Sequence, residues 1–405
     1  MNPADEPRLL TSDEVAGRLG IKVETLYAYV SRGQLARVRS PEGSRFRPLD
    51  VEEFAARRKP RSVFRRGSVA ARPLVMLDTD LAMVEDDELY LRGQRASDLV
   101  KSRPVERVAA WIWSGDWETA LSPPTAKDLA QTMAFLQSLP AGASRIDQLN
   151  LSAAGLGMSD PWREEISPEA LQRAGARFLL GVPRLLLGGH LPPEEHTVAE
   201  VLWRALSPHP PQPQHIRALN AALVLTIDHD LAISTLSGRI AASGRASGYS
   251  VITSALGAFA SPLHGNASVS AALLVRSVLD GHSAERALGE AISTTGARLP
   301  GFGHFLYADG DSRARTLLQF VPGLPRGSEV SAAVDALTEE VAQRSQLRPN
   351  VDLALAAVTV AGDMNDSDGS LLFGLGRSVG WIAHAISEYA EKPLRLRPQG
   401  RYTGP

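Results

Sequence analysis

The sequence predicts a mainly α-helical protein in which a small front module precedes a larger helical body. After residue 72, several stretches repeat apolar residues at helical spacing, and no stretch alternates over several strands. No glycine-rich loop follows a strand, so a nucleotide-binding α/β sheet is not expected. A chain of 405 residues is too long for one ordinary core, which predicts more than one domain.

The front module, residues 1–60, has the pattern of a helix-turn-helix. Thr11 and Glu14 form a capping box ahead of a short amphipathic helix that stops at Gly20. A second short helix follows and ends at Gly33. In a helix-turn-helix the second helix is offered to the major groove of DNA.

A predicted wing follows, built from two short segments around Pro41-Glu42-Gly43. It carries arginines suited to phosphate contacts, the part of DNA affinity that does not depend on base sequence. These are Arg37, Arg39, Arg45 and Arg47. Over roughly residues 8–58 the module resembles winged helix-turn-helix domains of the excisionase and MerR type, which implies DNA as a partner. Protein or oligomer contacts alone remain an open alternative.

Charge and composition divide the chain at the same place. Residues 1–72 hold 15 Lys/Arg against 9 Asp/Glu, whereas the rest holds 28 against 36. Residues 61–72 are typical of a basic linker. The absence of cysteine excludes disulfides, a thiolate nucleophile and zinc-thiolate sites. The start is not typical of a signal peptide and no apolar run reaches about 18 residues, so we expect a cytoplasmic protein without a membrane segment.

The body begins with helical patterns. Apolar residues recur at helical spacing in VERVAAWIWSGDWE, AKDLAQTMAFLQSL, SPEALQRAGARFLLGVPRLLL and HTVAEVLWRAL. The proline-rich stretch SPHPPQPQ predicts a loop between two of these helices.

Chemistry-bearing residues follow in separated clusters. The clusters read IDHDLAIST, SPLHGNAS, GFGHFLYADGDSRA, RPNVD, GLGRSVGWIAH and, near the end, LRLRPQGRYTG. Together they suit an enzyme that deprotonates a carbon next to a carbonyl and joins it to a second, anionic carbonyl compound. Asp352 fits the base, His264 a donor to the developing enolate oxygen, and His304 a donor to the acceptor carbonyl.

Three arginines complete this set. Arg313, Arg377 and Arg397 are suited to a dicarboxylate, because guanidinium forks bind carboxylates in a bidentate manner and keep their charge. The residues alone leave other interpretations open. A histidine in a glycine loop can be structural, an aspartate after Pro-Asn-Val can cap a helix, and a helical arginine can face solvent.

The order of these motifs resembles that of the citrate synthase family. That family reads like HADHE-x-N-A-S-T, GPLHGGAN, GFGHRVY-x-x-x-DPRA, YPNVD, R-x-x-GW-x-AH and RPR-x-x-Y-x-G, in the same order along the chain. The resemblance covers about residues 73–404. It implies an almost wholly α-helical fold with a large subdomain, residues 73–265 and 366–405, and a small subdomain, residues 266–365, that closes over the substrates and excludes water.

The resemblance also implies roles and partners. The reaction would condense acetyl-CoA with oxaloacetate to citrate and CoA, with His264 stabilising the enol, Asp352 taking the methyl proton and His304 polarising the ketone. Oxaloacetate would be held by His229, Arg313, Arg377 and Arg397, the last reaching into the partner subunit of a homodimer. No metal or cofactor is implied, because the acyl-CoA is a substrate.

Several positions depart from the family pattern. They are Thr226, Asp230 and Ala232 in the first motif, Ser261, Asn266 and Ser268 in the second, Phe305 in the third and the LALA that follows Asp352. Departures around the acid, base and arginine positions change pocket shape and hydrogen bonding. They leave open whether propionyl-CoA is used instead, giving 2-methylcitrate. A transcriptional regulator whose body senses oxaloacetate or acyl-CoA is the alternative of a different class.

Overall fold

The computed structural model describes residues 9–40, 43–58, 76–189, 196–262, 264–295, 299–304, 306–307 and 309–404. The predicted linker at residues 61–72 and Phe305 lie outside this set. The described chain is mainly helical, as the sequence predicts, with short strands only near its start. The domain boundaries given above remain predictions.

The front module is a three-stranded sheet with three helices. Its elements are β1 (Leu10–Thr11), α1 (Ser12–Leu19), α2 (Val23–Ser31), β2 (Val38–Ser40), β3 (Gly43–Phe46) and α3 (Pro48–Arg58). The capping box of Thr11 and Glu14 is present, and Gly20 ends α1 at φ 62°, a left-handed conformation that glycine adopts without strain. The module has its own small core, which includes Val15, Leu26 and Phe46.

The body begins with an antiparallel sheet and continues as helices. The sheet consists of β4 (Ala82–Glu85), β5 (Glu88–Leu91) and β6 (Gln94–Arg95). The helices up to the second histidine motif are α4 (Ala96–Ser102), α5 (Val105–Ser114), α6 (Ala126–Leu136), α7 (Arg145–Met158), α8 (Pro168–Leu186), α9 (Val198–Leu206), α10 (Pro213–Leu225), α11 (Ile233–Ser243) and α12 (Gly248–Phe259).

The later helices are α13 (Ala267–Leu279), α14 (Ala284–Thr295), α15 (Ser312–Leu318), α16 (Gly327–Arg344), α17 (Val351–Ala361) and α18 (Asp368–Tyr389). Helices α13 to α17 pack against one another, and α18 packs against α8, α10, α11 and α12. Almost every residue of α18 between Asp368 and Ala385 is buried, because neighbouring helices surround it. The ends of these buried helices meet where the predicted site residues lie.

Candidate active site

The structure brings the three predicted histidines to the ends of buried helices. His229 follows α10, His264 lies between α12 and α13, and His304 lies in the segment before α15. The ring centroids of His229 and His304 are 4.7 Å apart in an edge-to-face arrangement. Tyr307 lies beside both, with its ring centroid 5.2 Å from that of His229 and 5.4 Å from that of His304. The three imidazoles therefore line one region of the structure, although the first and the last of them are 75 residues apart in the sequence.

The hydrogen bonds around His264 support one tautomer of its ring. Its Nε2 lies 2.8 Å from the Ser234 hydroxyl oxygen, and that oxygen accepts the Trp381 indole N–H at 3.3 Å. Because the Ser234 oxygen already accepts, we assign its proton to His264 Nε2, which leaves the imidazole proton on Nδ1. Burial, assisted by Arg377, lowers the pKa of His264 to about 3. The ring is thus a neutral Nδ1–H donor at working pH.

His304 has the opposite tautomer. Its Nδ1 accepts the backbone N–H of Leu306 at 3.2 Å, so in the neutral ring the proton lies on Nε2. Burial, followed by the charge of Arg313, lowers the pKa of His229 well below its ordinary value, and His229 Nε2 is buried without a hydrogen-bond partner. The site therefore contains His229 with an unpartnered ring nitrogen, next to a His304 ring whose Nδ1 accepts a hydrogen bond.

Asp352 has a buried carboxyl oxygen without a hydrogen-bond partner. It stands in the first turn of α17, whose N-cap Asn350 accepts the backbone N–H groups of Asp352 and Leu353. Because Asn350 caps the helix, the Asp352 side chain is not needed as a cap, and its Oδ1 is buried without a hydrogen bond. Burial raises the pKa of Asp352 to about 7, against the opposing charges of Arg313 and Arg377. Such a carboxyl is suited to moving a proton near neutral pH.

Arg377 enters the site through a close helix crossing. A Cβ on Gly376 would lie 2.3 Å from Thr226 Oγ1, and one on Gly380 would lie 2.2 Å from the carbonyl oxygen of Ile227. These glycines let α18 approach the end of α10, where Arg377 Nε donates to the Thr226 carbonyl at 2.7 Å. Burial lowers the pKa of Arg377 to about 10, and its Nη1 is buried without a partner. This guanidinium retains donors for an anionic ligand.

Arg313 is tied to a neighbouring carboxylate. Its Nε and Nη2 donate to the two oxygens of Asp311 at 2.9 and 2.8 Å, and Asp311 also accepts the N–H of Val351, beside Asp352. Burial by itself would lower the pKa of Arg313, but Asp311 reverses this and raises it. The Arg313 guanidinium carbon lies 5.4 Å from the Tyr307 ring centroid. Arg313 therefore brings positive charge beside Tyr307 and Asp352.

The site collects unsatisfied buried polar atoms. Within the described part of the chain they include His229 Nε2, Tyr307 Oη, Asp352 Oδ1 and Arg377 Nη1. Buried polar groups in proteins are normally hydrogen-bonded, because desolvation without a partner costs roughly 1–3 kcal/mol per group. The grouping of donors and an acid around two arginines is the arrangement that a small polyanionic ligand would satisfy.

Arg397, near the carboxyl end of the chain, lies away from the other predicted site residues. Arg397 is exposed in the segment after α18 and is not brought to the cluster within one chain. That segment is held to the body by the Leu394 N–H donating to Ser243 O and by an Arg395 ion pair with Glu388. Its expected contribution to a partner subunit's site remains a prediction.

The wing arginines do not share one face. In the β2–β3 hairpin Val38 is opposite Arg45 and Arg39 is opposite Ser44, so Arg39 and Arg45 point to opposite faces. Arg37 and Arg39 are exposed. Arg47 lies with Nη1 3.9 Å from Glu285 Oε1 of α14. Of the four proposed phosphate contacts, those of Arg37 and Arg39 are the least engaged by the protein itself.

The departures from the family motifs differ in their structural surroundings. Thr226 supplies the carbonyl for Arg377, and its hydroxyl donates to Ala222 O at 2.8 Å, so it supports the helix end. Ser268 is fully buried between α13 and α18, with its oxygen 3.3 Å from that of Ser370. Its contacts are those of helix packing, whereas Asn266 is only partly buried and precedes α13.

Sequence reasoning did not assign several residues that shape the site. Tyr307 and Asp311 lie inside the quoted motif GFGHFLYADGDSRA, so a signal for them was present. Phe373, whose ring centroid is 4.9 Å from the Arg377 guanidinium carbon, lies one helical turn before Arg377. The partnership of Ser234 with His264 has no local signal, because it depends on how α11 packs against α12, which ends just before His264.

Other site types find no support in the described residues. There, no group of three or more histidine, aspartate and glutamate residues could hold a metal ion. Among the same residues no helix is both long and apolar enough to cross a bilayer.

Family models match both parts of the chain. A model for the citrate synthase C-terminal domain matches residues 70–399, and a helix-turn-helix domain model matches residues 9–59. Citrate synthase 2 of Bacillus subtilis (strain 168) is 26% identical over 362 residues, which are 82% of this chain and 94% of that protein. 2-Methylcitrate synthase 2 of Corynebacterium glutamicum is 27% identical over 354 residues, which are 80% of this chain and 90% of that protein.

A solved structure has the same fold. It is the ternary complex of citrate synthase from Thermoplasma acidophilum with carboxymethyl coenzyme A and oxaloacetate. The TM-score is 0.67 at 25% identity, over 82% of this chain and 94% of that chain.

Proposed function

Because the chain belongs to the citrate synthase family of acyltransferases, we propose that it condenses an acyl-CoA with oxaloacetate at the cluster around His264, His304 and Asp352. The observation that carries this proposal is the Asp352 carboxyl, whose Oδ1 is buried without a partner and whose pKa lies at about 7. A base with such a pKa is half ionised near neutral pH and can accept a proton from a weak carbon acid.

The tautomers assigned to His264 and His304 determine which nitrogen of each ring donates a hydrogen bond in the proposed steps. Asp352 takes a proton from the carbon next to the thioester, while His264 Nδ1–H donates a hydrogen bond to the enolate oxygen. The enol carbon then attacks the ketone carbon of oxaloacetate, and His304 Nε2–H stabilises the oxygen that gains charge there. Water cleaves the thioester afterwards, which releases CoA. Because burial lowers the pKa of His264 to about 3, its ring acts as a hydrogen-bond donor without first losing charge.

The anionic substrate is proposed to lie among the unsatisfied donors. Arg377 Nη1 and His229 Nε2 are buried, lack partners and can donate to oxaloacetate carboxylates or its ketone. Arg313 adds charge from its position beside Tyr307, although Asp311 occupies two of its nitrogens. Arg397 would complete the carboxylate contacts from a second subunit, so we propose a homodimer as the functional unit.

Acetyl-CoA is the proposed acyl donor, and propionyl-CoA is the second candidate. The second candidate is supported by Asn266, which departs from the family motif beside His264, whereas identities of 27% to a 2-methylcitrate synthase and 26% to a citrate synthase do not separate the two. Ser268 weighs less, because it is buried between helices α13 and α18.

Release of CoA tests this proposal. Wild type with oxaloacetate is expected to release CoA from acetyl-CoA or propionyl-CoA, and Asp352→Ala is expected not to. The ratio of kcat/KM for the two acyl-CoAs decides the substrate. Binding of both substrates by wild type without any CoA release would reject the enzyme and leave a protein that senses these ligands.

We also propose that the front module binds duplex DNA. The match to a helix-turn-helix model and the exposed residues on α2 and the wing support it, among them Thr25, Arg32, Arg37 and Arg39. Contacts to phosphates release counterions, so affinity for a mixed-sequence duplex should fall steeply as salt rises. Binding that is absent at low salt, or unaffected by salt, would reject this part of the proposal.

A further inference from the structure

The front module is docked along one helix of the body. Arg18, in the last turn of α1, donates from Nη2 to the carbonyl of Ile292 in the last turn of α14. Arg47 lies 3.9 Å from Glu285, in the first turn of α14. The module therefore contacts both ends of α14.

One apolar residue and a group of charged residues extend the contact of the front module from α14 to α16. Leu49, in the first turn of α3, is 6% exposed and belongs to the continuous core of the body, not to the module's own core. Glu285 pairs with Arg344 in the last turn of α16 at 3.0 Å, and Asp50 of α3 lies within the field of Arg344 and Arg47. Helix α3 packs against both α14 and α16.

The two helix ends at this contact are followed in the sequence by segments of the proposed site. From α14 the chain runs to Gly301 and Gly303, and then to His304. From α16 it runs to Arg348 and Asn350, and then to Asp352.

These two segments are tied to each other. Gly303 N–H donates to Arg348 O at 2.8 Å, Asn350 N–H donates to Gly301 O at 2.9 Å, and the Asn350 amide donates to Gly303 O at 3.1 Å. Both glycines have positive φ, and a Cβ at either position would lie 2.8 Å from a leucine side chain. Hydrogen bonds and close packing of this kind resist displacement of one segment relative to the other, because protein interiors do not deform freely.

The face proposed for DNA is left free by this docking. Glu24, Thr25, Tyr27 and Arg32 on and after α2 are exposed, as are Arg37 and Arg39 before and on the wing. Helices α1 and α3 take the body contact. One module thus presents one surface outward and fixes another against the helices that carry the site segments.

We propose that the module and the site regulate each other, so that oxaloacetate with an acyl-CoA at the site changes the affinity of the module for duplex DNA, through the contact of Arg18 with α14. The inference rests on the proposed function of both parts. Thermodynamic reciprocity requires DNA to change oxaloacetate affinity by the same factor. Arg18 is a positioning residue here, since it touches neither ligand.

The test measures one coupling factor in two directions. The duplex probe is a 40-base-pair mixed-sequence DNA at low salt, and the site ligands are oxaloacetate and carboxymethyl coenzyme A, which prevents turnover. We expect the dissociation constant for DNA to change by about fivefold when the site is filled, and that for oxaloacetate to change by the same factor when DNA is added. A factor within experimental error of one in the full-length protein overturns the proposal.

Variants locate the coupling. Arg18→Ala is expected to remove most of the coupling factor, and Arg18→Lys to restore part of it, because an ammonium group can still donate to the Ile292 carbonyl. Arg107→Ala is the matched control: Arg107 Nη1 also donates to a backbone carbonyl, that of Trp117, but on the body and away from α14. It should leave the factor unchanged. Coupling that persists in Arg18→Ala overturns the proposed route.

The outcomes separate the inference from the proposals beneath it. Absence of DNA binding rejects the function proposed for the module and the coupling with it. DNA binding without coupling rejects only the coupling. Because the site is followed by ligand binding, a lack of turnover does not affect the result. Should Arg18→Ala fail to fold, as judged by its thermal unfolding, Leu49→Ala tests the same docking surface with the same expected loss of coupling.

Discussion

Two buried charged clusters in this protein differ in how completely they are hydrogen-bonded. In the cluster between α6, α7, α8 and α12, Arg177 donates from Nε to Tyr249, from Nη1 to Asp128 and from Nη2 to Ser159. Tyr249 in turn donates to Asp160 at 2.7 Å, and Asp160 also pairs with Arg173. In the proposed active site, by contrast, Arg377, Asp352, His229 and Tyr307 each retain a buried atom without a partner.

The difference separates stability from function. A buried charge whose donors and acceptors are all paired is costly to disturb but has nothing left to bind a ligand. A buried charge with open positions costs stability in the free protein and is explained by a ligand that completes it. Burial alone therefore does not identify the site, whereas the grouping of several incompletely bonded side chains around two arginines points to it.

The largest expected effect comes from replacing the base of the proposed active site. Asp352→Asn preserves size but cannot accept the substrate proton, so kcat should fall about 10³–10⁴-fold, while oxaloacetate binding is retained. CoA release and oxaloacetate titration measure the two quantities. The control is Asp160→Asn in the complete cluster, which should lower the melting temperature without a comparable loss of kcat. Equal losses of kcat in both variants would contradict the distinction.

The next effect compares two buried arginines. Arg177→Met removes the guanidinium that joins the buried carboxylates Asp128 and Asp160 and should lower the free energy of unfolding by about 3–5 kcal/mol. Arg377→Met should lower it much less, because Arg377 has an incomplete set of partners, yet it should weaken oxaloacetate binding strongly. Denaturant unfolding and ligand titration on both variants check this. A larger loss of stability in Arg377→Met would reverse the assignment of the two clusters.

A third effect concerns pH. The pKa of Asp352 is raised from 3.8 to about 7 by burial, so the folded protein holds its proton more tightly than the unfolded chain does. Stability is therefore lost as pH rises through this window, and wild type should lose about 3 kcal/mol relative to Asp352→Asn between pH 5 and pH 8. Unfolding curves at the two pH values measure it. Parallel behaviour of the two proteins would contradict the raised pKa.

The titration of Asp352 also sets the expected pH dependence of the reaction. Because the carboxylate form is the base, kcat/KM should rise with pH and level off above about 7. His264 is not expected to contribute to this rise, since its pKa of about 3 keeps it neutral throughout.

The smallest effect tests the tautomer of His264. Ser234→Ala removes the hydroxyl that fixes the proton on Nδ1, and kcat should fall about 10–100-fold with a smaller change in KM for oxaloacetate. Ser237→Ala, one turn later on α11 and bonded to Ser254, is the matched control and should leave kcat unchanged. Equal kinetics for wild type and Ser234→Ala would reject the tautomer assignment.

Much of this arrangement could be predicted before the structure. The capping box of Thr11 and Glu14 and the helical class follow from local patterns, and the structure confirms both. The candidate acid, base and arginine positions followed from residue chemistry and from the order of motifs that resembles citrate synthases. His229, His264, His304, Asp352, Arg313 and Arg377 do converge in the fold, whereas Arg397 does not reach them within one chain.

By itself, therefore, the sequence determined the helices, the module at the front and the residue types that chemistry at the site requires, because each depends on neighbours close along the chain. The tertiary structure decided which of those residues keep a buried polar atom without a hydrogen-bond partner. Ser234 and His264 are 30 residues apart, Arg377 and Thr226 are 151 apart, and Arg18 meets Ile292 across 274 residues. A hydrogen bond depends on positions in space to within a few tenths of an ångström, and helix packing sets those positions only when the chain has folded.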